Sequence, residues 1–227
     1  MSTALLKVVL FIVEGDTDEL SLYMILKKLL KNKRVFFQVV NTDVTSEETT
    51  TTQNIIKKLE QEIEKKQAVQ KFYRSDIIQI IHLVDTDGAF VGDEHIVEAD
   101  TESAVYTTDV IKTRYLEKMK KRNKRKSSIL NKLSTTTHIE EVPYRVYYFS
   151  ANLEHVLHNE QNVAKEQKRD SADQFADTYY DQPEEFINFI RDQTFAVQGT
   201  YQETWDFINN GVNSLNRHCN FHLFFEK

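Results

Sequence analysis

The sequence has one cysteine, Cys219, which excludes an intrachain disulfide. A lone thiol outside any Cys-His metal pattern fits a reducing compartment, so a cytoplasmic protein is expected. Two prolines and five glycines leave little room for a long linker or a large disordered fraction. No apolar run approaches the length of a membrane span, so no membrane segment is expected. The opening Met-Ser-Thr-Ala-Leu-Leu-Lys lacks a basic stretch and a long apolar one, and is not expected to act as a signal peptide. Positive charge is not in excess either. The net charge of −6 excludes a uniformly basic nucleic-acid sleeve. There is no internal repeat, and the only low-complexity stretch is the threonine-rich segment 49–52.

What is present suffices for one domain with an extension. Hydrophobic residues make up 40 % of 227, enough for a substantial core. The most informative stretch is Ile77-Ile-Gln-Ile-Ile-His-Leu-Val-Asp-Thr-Asp-Gly88. A short apolar, β-branched run that stops at a turn signal reads as a buried parallel strand. If the strand persists to its end, Asp85 and Asp87 project to the same side, beyond the C-terminal edge of the sheet. Open α/β sheets bind ligands at that edge. Two adjacent carboxylates repel unless a cation lies between them, and a hard divalent ion, Mg²⁺ or Mn²⁺, suits oxygen ligands. His82 points to the opposite face and is expected to be packed or hydrogen-bonded.

Lys7 to Val13 is a second buried-type strand and also ends in a carboxylate, in Glu14-Gly15-Asp16-Thr17-Asp18-Glu19. A strand ending in Glu-Gly, then a helix, then a later strand ending in Asp-x-Asp resembles the Toprim domain of topoisomerases, bacterial primases, RNA-maturation nucleases and OLD-type nucleases. The resemblance covers about the first two-thirds of the chain. It implies a Toprim-like (Rossmann-like) α/β fold with a mainly parallel four-stranded sheet flanked by helices. It also implies phosphodiester cleavage or transfer, with Glu14 in place of the family's glutamate and Asp85 and Asp87 in place of its metal-binding pair. The chain has no room for the extra domains of primases and topoisomerases, so a small Toprim nuclease, set in phage defence or nucleic-acid maturation, is the closer parallel. Two departures stand out. Asp16 follows Glu14-Gly15 where the family often carries a basic residue. The late lysine of some OLD-type nucleases has no clear counterpart, with Lys165 and Lys168 the candidates.

In chain order, Asp16-Thr-Asp-Glu19 predicts a capped helix running to about Asn32, with Asp16 and Glu19 serving the cap and Asp18 left open as a peripheral site group. Val35–Val40 reads as a strand, 41–52 as a polar loop, and 52–67 as a helix on the spacing of Ile55, Ile56, Leu59 and Ile63. The segment 89–102 is acidic and turn-rich. Helical periodicity is expected over Val110–Met119, within an insertion of about 103–135 whose basic run includes Lys120, Lys121, Arg122, Lys124, Arg125 and Lys126. Such a run is either a solvated face or a contact to a phosphate backbone, which gives nucleic acid, DNA or RNA, as the expected partner.

Val142–Phe149 is a fourth strand, leading into Ser150-Ala-Asn-Leu-Glu-His-Val-Leu-His158. Glu154 therefore belongs near the same sheet edge and loosely resembles an extra acidic group of OLD-type nucleases. Ser150 reads as the cap of the following helix. His155 and His158 lack an Asp or Cys companion at ligand spacing, so no zinc site is expected. Residues 1–160 read as the catalytic domain and 161–227 as a helical C-terminal extension packed on it. Phe221-His-Leu-Phe-Phe225 must dock on the core or on a partner, another protein or a second copy of the chain.

The expected catalytic group is thus Glu14, Asp85, Asp87 and Glu154, with Mg²⁺ or Mn²⁺ on the first three. Two alternatives stay open. One is a non-catalytic Toprim module that binds a partner. The other is a phosphatase of the haloacid dehalogenase type, suggested by Asp-Thr-Asp-Gly, although two strands precede it and no threonine follows Gly88. DNA or RNA, endo or exo cleavage, one or two metals, and the role of Glu14 as ligand or general acid/base also stay open.

Overall fold

Val8–Val13 (β1) is buried at every position, which only a strand covered on both faces achieves. The computed structural model describes residues 7–31, 33–39 and 44–226. After β1 come helix α1 (Asp16–Leu29), strand β2 (Arg34–Val39), helix α2 (Ile55–Gln70) and strand β3 (Ile77–Asp85). A small lobe follows, with strands β4 (Ile96–Glu98), β5 (Val105–Tyr106) and β6 (Ile111–Thr113) paired in the order β4-β6-β5. Helix α3 (Leu116–Ser134) returns the chain to strands β7 (His138–Ile139) and β8 (Val142–Ser150). Helices α4 (Leu153–His158), α5 (Lys165–Tyr180), α6 (Pro183–Ile190) and α7 (Tyr201–Ile208) and the short strand β9 (His218–Cys219) complete it.

The long strands lie in the order β2-β1-β3-β8, all parallel. This is the α/β sheet the apolar runs predict. Two short strands extend it, β7 and β9, both antiparallel to β8. The strand order reverses between β1 and β3: the chain steps outward from β1 to β2, then crosses back over β1 to reach β3. Such a reversal opens a crevice at the C-terminal strand ends. Both Glu14, just after β1, and Asp85, at the end of β3, sit at that point.

Side chains alternate between two cores. Val8, Leu10, Ile12, Ile80, Val84 and Tyr148 face α2, α3 and α7. Val9, Phe11, Val13, Ile81, Leu83 and Phe149 face α1, α4, α5 and α6. The C-terminal aromatic segment docks on this second core. Phe221 is fully buried, with its ring 5.7 Å from Tyr147 and 5.8 Å from Phe149. Burying a side chain of this size contributes roughly 1.5–3 kcal/mol, which fixes the end of the chain onto the sheet.

Several sequence expectations change. Helical structure does not begin at Val110: Ile111 and Thr113 point inward with Lys112 outward, a strand alternation, and α3 starts only at Leu116. Ser150 does not cap α4. It ends β8, and Asn152 is the cap, its side chain accepting from the His155 amide at 2.9 Å. Asp16 is the first residue of α1 rather than its cap, a position taken by Gly15. Asn32, Val40 and residues 41–43, which the sequence assigns to a helix end, a strand end and a loop, lie outside the described residues. Among the described residues no helix is long and apolar enough to cross a membrane.

Candidate active site

The turn that leaves β3 is tied to the end of β8. Thr86 is fully buried, its amide donates to the Phe149 carbonyl at 3.0 Å, and its hydroxyl donates to the Ser214 carbonyl at 2.9 Å. The Asp87 amide donates to the Ala151 carbonyl at 2.7 Å. Asp87 (φ +47°) and Gly88 (φ +63°) are both left-handed, so the chain reverses within two residues. Gly88 also has no room for a side chain, since a Cβ there would lie 2.5 Å from Leu215 Cδ2. The strand ends at Asp85. The two aspartates are therefore set by this turn and not by strand alternation, a correction to the sequence expectation. Asp85 turns toward α4, where its Oδ1 accepts from the Leu153 amide at 2.9 Å. Asp87 turns toward α3.

Around Asp85 stand four further carboxylates. Its carboxyl is held well above the usual carboxylate range, first by burial, then by Glu14, Asp18, Asp87 and Glu154. Asp18 comes from the first turn of α1, where its Oδ2 accepts from the Gly15 amide at 3.0 Å. Burial pushes Asp18 up to about 7; the Gly15 amide opposes the rise and Glu154 adds to it. Glu154 is buried at the start of α4 and pairs with Lys168 of α5, Nζ to Oε1 2.8 Å. Burial disfavours the charge on Lys168, but Glu154, Asp85 and Asp18 outweigh it and raise its pKa. Glu14, Asp85, Asp87 and Glu154 thus come to one place from the ends of three parallel strands, with Asp18 beside them.

The cations facing this group come mainly from α3. Lys126 is fully buried, with Nζ 2.5 Å from Asp87 Oδ2 and 3.9 Å from Glu14 Oε1. Arg122 donates to the Asp87 carbonyl at 2.7 Å and lies 3.4 Å from its Oδ2. Tyr106, from β5, hydrogen-bonds Arg122, and its hydroxyl is pushed up to about 12 by burial and then by Asp87. The Asn123 side chain donates to the Gly88 carbonyl at 3.0 Å.

The basic run therefore has separate fates. Lys126 leaves the surface and enters the carboxylate cluster, which corrects its placement in an outer basic face. Arg122 bridges cluster and surface. Arg125 bonds the Ser46 carbonyl, Lys120 pairs with Glu117 at 3.2 Å, and Lys121 and Lys124 are exposed.

The sequence reading missed the placement of Lys126 and the whole of Tyr106. A signal existed for the lysine: it precedes Ile129, Leu130 and Leu133 by three, four and seven residues, the spacing of one helix face, and all three are fully buried. Tyr106 had no such signal, because its strand is two residues long. The histidines the sequence raised have other neighbours, although His158 also feels the charge of Glu154. His82 Nδ1 lies 2.8 Å from the Tyr144 hydroxyl, His155 Nδ1 accepts from the Ala151 amide, and His158 packs on Phe175.

An oxygen-only donor set of this kind matches Mg²⁺ or Mn²⁺ in chemistry. Burial and then carboxylate repulsion raise Asp85, and a bound divalent ion relieves the repulsion. Among the described residues no three His, Cys, Asp or Glu side chains stand together at metal-ligand spacing, and the Lys126 ammonium lies between Asp87 and Glu14. The donor set thus fits the ion, while its present spacing is that of a lysine-held site. A scan against protein-family models, a search of curated proteins and a search of solved structures each returned no match.

Proposed function

We propose that this chain is a divalent-cation-dependent nuclease of Toprim type. One observation carries the reading: Glu14, Asp85, Asp87 and Glu154 converge from the C-terminal ends of β1, β3 and β8 where the strand order reverses, with Asp18 beside them. Among the described residues five carboxyl groups here meet three cations, Lys126, Arg122 and Lys168, and the imbalance falls on Asp85 and Asp18, whose raised pKa values hold protons that a bound cation would displace. The excess suits a site that takes up a cation. The Glu-Gly and Asp-x-Asp motifs at these strand ends add the family resemblance.

Glu14, Asp85 and Asp87 would hold the Mg²⁺ or Mn²⁺, which when bound supplies charge neutralisation and a lowered pKa for attacking water. Arg122, beside Asp87, and Lys168, beside Glu154, would bind phosphate oxygens. Asp18, with a pKa near neutrality, is suited to accept a proton from water at Oδ1. Glu154 orients Lys168 through their 2.8 Å contact.

The test is cleavage of single- and double-stranded DNA and of structured RNA with Mg²⁺, with Mn²⁺ and with chelator, alongside a phosphomonoester. The wild type is compared with Asp85→Ala and Glu14→Gln. Metal-dependent cutting lost in both variants is the expected result. Release of phosphate from the monoester alone would move the assignment to a phosphatase. A second reading, a non-catalytic Toprim module, is favoured by the buried Lys126 already seated on Asp87. Its signature is folded protein that cuts nothing and binds no divalent ion.

A further inference from the structure

Next to the carboxylate cluster lies a cavity of about 860 Å³, bounded by α3 on one side and by residues 46–48 on the other. That volume lies within the range of small-ligand sites. Its α3 wall is made by Lys118, Lys121, Arg122 and Arg125, at positions i, i+3, i+4 and i+7 of a single helical face. Tyr115, just before the helix, is 59 % exposed, and Met119 adds apolar surface. The facing wall carries Glu47 and Glu48; Glu47 is engaged by Lys58 at 2.6 Å. Anionic groups are therefore steered to the α3 wall. Arg122 belongs to both places, since it lines the cavity and donates to the Asp87 carbonyl at 2.7 Å. A phosphate bound at Arg122 would lie beside the carboxylate cluster, with the cavity open to the next unit of the same chain.

We infer that this cavity is a nucleotide subsite that takes an unpaired nucleotide next to the scissile phosphate, its base stacked on Tyr115 and its phosphates on Lys118, Lys121 and Arg125. The inference rests on the nuclease reading and narrows its substrate class to single-stranded or unpaired segments. Only an unpaired base can turn its face to a side chain, and aromatic stacking with flanking cations is how single strands are held without sequence preference. The same chemistry would accept a free mononucleotide.

The test is fluorescence anisotropy of the full chain, in chelator so that nothing is cut. The probes are a short labelled oligothymidylate, the same length of duplex, and unlabelled thymidine 5′-monophosphate as competitor. Single strand is expected to bind more tightly than duplex. Tyr115→Ala should weaken it by about tenfold and Tyr115→Phe should restore it, since stacking needs only the ring. Lys121→Glu should weaken binding and lower its salt dependence. Competition by the mononucleotide would assign the site to free nucleotides as well; no competition would assign it to the polymer. Equal binding of both strands with no effect of Tyr115→Ala would overturn the subsite, even if the enzyme still cuts DNA. Ring-dependent binding without any cleavage would uphold the subsite and remove the nuclease reading.

Discussion

Lys126 Nζ lies 2.5 Å from Asp87 Oδ2, and the lysine side chain is fully buried. Among the described residues this buried ammonium has a short contact to Asp87 and a second carboxylate, Glu14, at 3.9 Å, and with Arg122 and Lys168 it supplies counter-charge to the acidic cluster. It joins α3 to the β3 turn and holds Asp87 on the α3 side. Occupancy of the cluster by a divalent ion and by Lys126 are therefore linked.

Lys126→Met should destabilise the fold by about 3 kcal/mol, the usual range for removing one member of a buried ion pair. The loss should shrink when Mg²⁺ is added, because the ion replaces the missing positive charge. Urea unfolding with and without Mg²⁺ measures both effects. A variant as stable as the wild type in chelator would show that the pair does not hold α3 in place.

Gly88→Ala tests the turn. The backbone there is left-handed, and the new methyl would meet the fully buried Leu215. A loss of about 2–4 kcal/mol is expected, combining left-handed strain with overpacking. Thermal unfolding reads the loss, and cleavage should fall further than stability because Asp85 and Asp87 are both set by this turn.

His155 is 7 % exposed, and its pKa is lowered to about 4 by burial, with Arg217 and His218 adding to the effect. The unfolded chain takes up this proton near the ordinary value of 6.5 and the folded protein only near 4. Its contribution is therefore complete above 6.5 and is lost as pH falls through that window, by at most about 3 kcal/mol. Unfolding free energies of wild type and His155→Asn across the window test this. The variant should show the shallower loss in acid.

Asp18 has the opposite sign. Its folded pKa of about 7 lies above the ordinary 3.8, so the folded state holds a proton that the unfolded chain has released. Stability from this group is present below 3.8 and lost as pH rises through 7. Asp18→Asn should be more stable than the wild type in mild alkali and close to it in acid, and denaturant titrations at the two extremes would show the crossover. Asparagine can still accept from the Gly15 amide, so the helix start is retained.

The long strands were legible in the sequence because burial on both faces demands largely apolar runs, and Val8–Val13 and Ile77–Val84, interrupted only at Gln79 and His82, are such runs. Glu14, Asp85 and Glu154 were legible for a related reason. Glu14 directly follows β1, Asp85 ends β3, and Glu154 lies in the helix that begins just after β8, so all three fall at the sheet edge that the strand order brings together. Asp18 was visible as a residue near that edge, but its proton-holding state comes from desolvation and from Glu154, far away in the chain.

Local sequence alone determined the parallel sheet, the acidic strand ends and the helical tail, since hydrophobic period and turn chemistry act over a few residues. Only the tertiary structure decided which way the acidic pair points, because that depends on the bonds from Thr86 and Asp87 to β8 and to residues 151 and 214. It alone divided the basic run between cluster, cavity and solvent. A lysine's charge looks the same in any sequence, and whether it is solvated or buried is set by which face of α3 meets the sheet. In this fold that face delivers Lys126 to Asp87 and leaves Lys121 to the outside.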